Sequence, residues 1–244
     1  MRNIKLTIEY EGADFAGWQV QPNARTVQDV VQRAVRGITG ETELKLVGSG
    51  RTDAGVHAAG QVANVHTETA IPAANLIHAI NTRLPEDVAI VGAEDVPPDF
   101  HARYSAVSKT YRYTILNRPA PSPLERARVY LVRRPLDIAA MRAAAESLVG
   151  EHDFAALQSK PDGKPSVRTI TRLELTADGA HVFITATADG FLYHMVRAIV
   201  GTLVEVGLGR RRPDSIAELV ESGDRSRAGP TAPPQGLCLM EVTY

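Results

Sequence analysis

Gly48-Ser49-Gly50-Arg51-Thr52-Asp53-Ala54-Gly55-Val56-His57-Ala58 stands between two short strand candidates, Glu43–Val47 and Gln61–His66. Three glycines within eight residues permit a tight turn with positive φ and a close approach of backbone or ligand. Arg51 and Asp53 lie two apart, so in an extended chain they point the same way and can pair or address one ligand together. A phosphate-binding P-loop needs Gly-x4-Gly-Lys-Ser/Thr at the start of a helix, and no Gly-Lys-Ser/Thr follows here. The GxGxxG pattern is absent too. A structural turn closed by an Arg–Asp ion pair fits these residues taken alone.

Outward from that stretch the hydrophobic pattern sets an order of elements. Arg2–Tyr10 alternates Ile4, Leu6 and Ile8 with Lys5, Thr7 and Glu9, which marks a half-buried strand. Thr26–Thr39 spaces Val27, Val30, Val31, Ala34, Val35 and Ile38 as a helix, with Thr26 as N-cap and Gly40 past the end. Pro72–Leu84 is expected as a second helix, with Leu76, Ile77 and Ile80 on one face and Pro72 in the first turn. Asp87–Val96 closes the half as a strand. The order β-α-β-β-α-β is that of a split βαβ, or ferredoxin-like, unit.

The chain from Ser108 onward resembles the same unit with an added strand and helix. Lys109–Leu116 and Ala127–Val132 are strand candidates, and Asp137–Leu148 is a helix capped by Asp137. Val167–Thr176 and His181–Ala188 form a hairpin across Asp178-Gly179. Phe191–Val206 and Pro213–Glu221 are helices, and Leu237–Thr243 is a final strand. The expected fold is α+β: two ferredoxin-like units, residues 1–107 and 108–244, with antiparallel sheets flanking a central cleft. Two domains with no shared sheet fit the pattern equally well.

Composition narrows the function. The 244 residues are 44% hydrophobic and 23% charged, which excludes a disordered, collagen-like or coiled-coil chain. A lone Cys238 excludes an internal disulfide and a Cys-rich zinc site. The longest stretches without Asp, Glu, Lys or Arg, at 54–67 and 69–82, are 14 residues each, short of a membrane span. The first ten residues show no apolar block of a signal peptide, so the cytosol is expected. The net charge of −1 conceals a local excess: residues 101–134 hold eight basic residues against Glu125 alone. Such a concentration suits a polyanion, or else a solvated face with acidic partners elsewhere.

Residues 50–58, Gly-Arg-Thr-Asp-Ala-Gly-Val-His-Ala, resemble the signature of the TruA-type tRNA pseudouridine synthases. Other blocks follow in that family's order: Tyr10–Gln19, Thr26-Val27-Gln28, Phe100–Ser105, Lys109–Tyr113, Phe191–Thr202 and Thr231–Leu239. The resemblance implies a pseudouridine synthase fold and the isomerisation of uridine to pseudouridine in tRNA, at positions 38, 39 and 40 of the anticodon stem-loop. The C1′–N1 bond breaks and C5 bonds to C1′, so the reaction needs no cofactor and no metal. The resemblance makes Asp53 the essential carboxylate, which attacks C1′, attacks C6 or removes the 2′ hydrogen. It places Tyr111 against the target uracil and Arg197 as the ion-pair partner of Asp53. Arg51 takes the space left by the flipped nucleotide or holds a phosphate, and Leu237 or Leu239 walls the pocket. It implies a tRNA partner and a homodimer, with no membrane. Arg103 to Arg134, Lys160, Lys164, Arg168 and Arg210–Arg212 are candidate phosphate contacts. A non-catalytic RNA-binding or RNA-folding module on the same scaffold is the alternative.

Overall fold

The computed structural model describes residues 1–160, 163 and 165–244; Lys164 lies outside them. The chain divides into two compact units, Met1–Val107 with Cys238–Tyr244, and Ser108–Leu237. Taking the second unit to residue 244 therefore needs correction. The last strand belongs with the first unit, because Cys238 and Leu239 pair in parallel with His57 and Ala58.

In the first unit β1 (Arg2–Tyr10) lies between β4 (Val88–Val96) and β3 (His57–Thr67), antiparallel to both. The outer edge of β3 carries β2 (Val47–Gly48), antiparallel, and β10 (Leu237–Thr243). The order β4-β1-β3-β2 is the split βαβ arrangement. Ile4, Leu6 and Ile8 are wholly buried, each worth about 2 kcal/mol against exposure. Helix α1 (Val27–Thr39) buries Val27, Val31, Ala34 and Val35, and α2 (Ala73–Asn81) buries Leu76 and Ile80.

Three expectations for this unit change. Pro72 is the N-cap of α2 rather than part of its first turn. Thr26 sits at the N-cap of α1, yet its hydroxyl is buried without a partner. The first helical N–H groups go instead to loop carbonyls: Val27 N–H donates to Gly17 O (3.2 Å) and Gln28 N–H to Trp18 O (3.0 Å). The strand expected over 43–47 shrinks to Val47–Gly48 because α1 side chains take its backbone groups. Gln28 donates to Leu46 O (2.8 Å), Gln32 accepts from Leu46 N–H (3.0 Å), and Arg36 donates to Leu44 O (2.9 Å).

The second unit runs β5 (Ser108–Asn117), β6 (Tyr130–Val132), α3 (Ile138–Glu146), β7 (Gly150–Asp153), β8 (Val167–Asp178), β9 (His181–Ala188), α4 (Met195–Gly207) and α5 (Ser215–Ser222). Its sheet order is β5-β9-β8-β7, antiparallel throughout, with β6 parallel to β5. Both sheets are antiparallel ladders, and the β5–β6 and β3–β10 pairs are parallel additions to them. Asp137 caps α3, accepting from Ala140 N–H at 2.9 Å. Helix α4 begins four residues later than the pattern indicates, since His194 is left-handed (φ 63°). The core of this unit is Tyr113, Ile115, Ile184, Met141, Ala198, Ile199 and Leu203.

Candidate active site

The segment 48–58 is a bend between β2 and β3, and the loop 11–19 lies along it. Gly12 N–H donates to His57 Nδ1 (3.0 Å), Gly55 N–H to Phe15 O (3.3 Å), and Trp18 N–H to Thr52 O (3.1 Å). The two strands of this contact touch so closely that side chains are excluded. A Cβ on Gly12 would stand 1.9 Å from the Val56 carbonyl oxygen, and one on Gly48 2.5 Å from the Trp18 indole. Gly17, at φ 97°, would bring a Cβ within 2.7 Å of Thr52 O. Gly12 and Gly17 serve close approach of backbone to backbone, and Gly48 leaves room for the Trp18 ring.

Buried polar groups complete the support. The Tyr10 hydroxyl and Thr52 Oγ1 are 2.8 Å apart, and burial pushes the Tyr10 phenol up, so it stays neutral. Ser49 donates to Gln61 Oε1 (2.7 Å), and Gln61 returns a bond to Gly50 O (3.2 Å). Between Thr52 and the positive-φ Gly55, this scaffold presents Asp53, half-buried, its carbonyl accepting from Val56 N–H (3.2 Å). Arg51 is exposed and donates to Gln19 Oε1 (3.3 Å). Among the described residues Arg51 forms no ion pair, so an Arg51–Asp53 pair closing the turn does not occur.

Tyr111, Arg197 and Leu237 belong to the second unit. Tyr111 is buried on β5, across from Ala186 of β9, with its ring edge-to-face with Phe191 at 5.2 Å. Arg197 is half-buried on the first turn of α4 and is fixed at both ends to Ala232: its Nε donates to Ala232 O (2.7 Å), and its carbonyl accepts from Ala232 N–H (3.0 Å). Tyr113 donates its hydroxyl to Pro233 O (2.7 Å), and its ring fills the place a Cβ on Gly236 would need. Burial pushes the Tyr113 phenol up, while the nearby Arg197 charge pulls the other way. Residues 231–236 thus order both Arg197 and Tyr113, a link no sequence spacing reveals. Leu237 and Leu239 are both buried.

Three arginines of the basic stretch are tied to carbonyls of their own loop. Arg118 donates to Ala120 O and Pro121 O, Arg126 to Pro123 O, and Arg133 to Pro119 O. His181 and Glu125 pair at 2.8 Å. Further along, Arg168 donates to Pro165 O, and Arg211 to Arg227 O. Arg212 pairs with Asp214. No helix among the described residues is long and apolar enough to cross a membrane.

Residues 6–105 and 144–244 match a family model described as tRNA pseudouridine synthase. The chain is 50% identical over 246 residues to tRNA pseudouridine synthase A 2 of Clostridium perfringens, with both chains covered in full. It is 51% identical over 245 residues to tRNA pseudouridine synthase A of Acetivibrio thermocellus, again over the whole of both, and 50% identical to that of Citrifermentans bemidjiense, of which it covers 98%.

Proposed function

The chain belongs to the tRNA pseudouridine synthase family, and from that premise we propose that it converts uridine to pseudouridine at positions 38, 39 and 40 of the tRNA anticodon stem-loop, with Asp53 as the catalytic carboxylate. The observation that supports Asp53 most is its setting: a half-buried acid on a bend whose backbone is fixed by Gly12, Gly17, Trp18 and Tyr10. Catalysis needs such a fixed geometry, since small displacements of a reacting group cost much of the rate.

A uracil stacked in a stem is out of reach, so the nucleotide turns out of the helix at a cost of a few kcal/mol. The C1′–N1 bond then breaks, the base rotates, C5 bonds to C1′, and the proton on C5 leaves while N1 gains one. Asp53 acts at C1′, at C6 or on the 2′ hydrogen. In the roles their family motifs carry, Tyr111 packs on the uracil, Arg197 is the ion-pair partner of the carboxylate, and Leu237 supplies apolar wall. Arg51, exposed beside Asp53 in sequence, takes the space the base leaves or holds a phosphate. These roles follow from the family motifs in which the residues stand. The working form is a cytosolic homodimer.

Carbodiimide labelling followed by primer extension on unmodified tRNA tests the sites. Stops at 38, 39 and 40 are expected, and stops confined to other arms of the tRNA contradict the assignment. Sedimentation tests the dimer, which has twice the 26.3 kDa mass of the chain.

A further inference from the structure

The turn His101-Ala102-Arg103-Tyr104-Ser105 of the first unit exposes a large aromatic ring. Tyr104 is 77% exposed. The ring is flanked by two nitrogen-rich groups: the His101 imidazole, 4.4 Å between centroids at 33°, and the Arg103 guanidinium, 5.7 Å from the ring centre. Among the described residues Arg103 makes no ion pair, so its charge is available to a ligand.

The turn is firmly held. Arg103 N–H and Tyr104 N–H both donate to His101 Nδ1 (3.1 and 3.2 Å), Ser105 N–H donates to His101 O (2.9 Å), and His101 N–H to Ser105 Oγ (3.1 Å). With Nδ1 accepting, the proton of the neutral ring is on Nε2. Below the surface, Ala102 is wholly buried: its N–H donates to Asn64 Oδ1 (2.9 Å) and its carbonyl accepts from the Tyr244 hydroxyl (2.8 Å). Asn3 donates to Pro97 O and Phe100 O, and Asn64 donates to Asn3 Oδ1. Asn3 and Asn64 are 3% and 2% exposed, so this is a satisfied internal network. Fixing an aromatic in the open gives nothing to the core. It does remove the ordering cost of a ligand contact.

We propose that the His101–Tyr104 turn is a stacking platform for an unpaired base of bound RNA, with Arg103 contacting the adjacent backbone. Stacking on an exposed aromatic beside a guanidinium suits any base, because every base has a π-face. Asn64 lies seven residues along β3 from His57, or roughly 23 Å at strand spacing. The platform therefore takes a base remote from the nucleotide at Asp53, and it holds the RNA without touching the reacting atoms. The proposal rests on the reading of the protein as an RNA-modifying enzyme.

The test uses full-length unmodified tRNA as probe. Tyr104→Ala is expected to weaken binding roughly 5- to 100-fold, with the turnover rate at saturating tRNA and the melting temperature unchanged. Tyr104→Leu should lose as much and Tyr104→Phe almost nothing. In Tyr104→Trp the new indole should be quenched on adding tRNA beyond any change seen in the wild type, whose one tryptophan, Trp18, is 1% exposed and shielded from stacking. Binding of Tyr104→Ala within two-fold of wild type, or no quenching in Tyr104→Trp, overturns the platform while leaving the enzymatic reading intact. Wild-type protein that neither binds nor modifies tRNA overturns both.

Discussion

Residues 48–58 and residues 118–134 are both outliers of composition, one in glycine and the other in arginine. Where the first meets the loop 11–19, side chains are missing on both sides: a Cβ on Gly48 would strike the Trp18 indole, and in the loop Gly12 and Gly17 leave room for the backbone of Val56 and Thr52. In the second, long side chains fold back on their own loop, and Arg118, Arg126 and Arg133 donate to carbonyls at Pro119–Pro123. A composition bias therefore marks a special place in the chain without saying what the bias is for. Glycine that resembles a ligand cradle here builds a rigid bend, and arginine that resembles a polyanion surface is spent in part on loop order.

The comparison can be broken at its glycines. Gly12→Ala forces a Cβ into a backbone carbonyl that has nowhere to go, and about 3 kcal/mol or more of stability should be lost with nearly all turnover. Gly40→Ala, where φ is 78° but nothing lies within 4 Å, should cost only about 1 kcal/mol and leave turnover alone. Urea unfolding checks both, and equal costs would refute close approach as the reason for Gly12. Next in size is Tyr10→Phe, which strips a buried hydrogen bond from Thr52. About 1–2 kcal/mol should go, with kcat falling more than KM rises because the loss falls beside Asp53. The smallest effect belongs to the arginines. Arg133→Ala should change stability by less than about 1 kcal/mol and leave the salt slope of tRNA affinity unchanged; a slope reduced by about one would return Arg133 to the phosphate contacts.

Much of the frame is legible in the sequence wherever local pattern and burial agree. Alternation gives the bounds of β1, and β10 spans Leu237–Thr243 as its apolar run indicates. Pattern fails where a tertiary partner competes for the backbone. Leu44 and Leu46 are buried and alternate as in a strand, but glutamines and an arginine of α1 take their backbone groups. Phe191-Leu-Tyr-His continues the apolar run of α4, yet the left-handed His194 ends that helix at Met195. β7, Gly-Glu-His-Asp, carries no hydrophobic signal and owes its existence to pairing with β8. At the site, residue types and spacing single out Asp53 and Arg51 but leave their roles open. Assigning chemistry to Asp53, Tyr111 and Arg197 depends on family resemblance. The service of Gly12, Gly17 and Tyr10 to the acid bend is invisible without coordinates, since residues 10–17 and 52–56 are far apart in sequence and touch directly only once the chain is folded.

The most direct measurement is tritium release from tRNA labelled at uracil C5, comparing wild type with Asp53→Asn. The amide keeps the shape of the carboxylate and removes its charge. Expected are steady release by wild type, none above background by Asp53→Asn, and tRNA binding by the variant within a few-fold of wild type. Release by Asp53→Asn at a rate near wild type, or a loss of binding as large as the loss of rate, would contradict a chemical role for this acid.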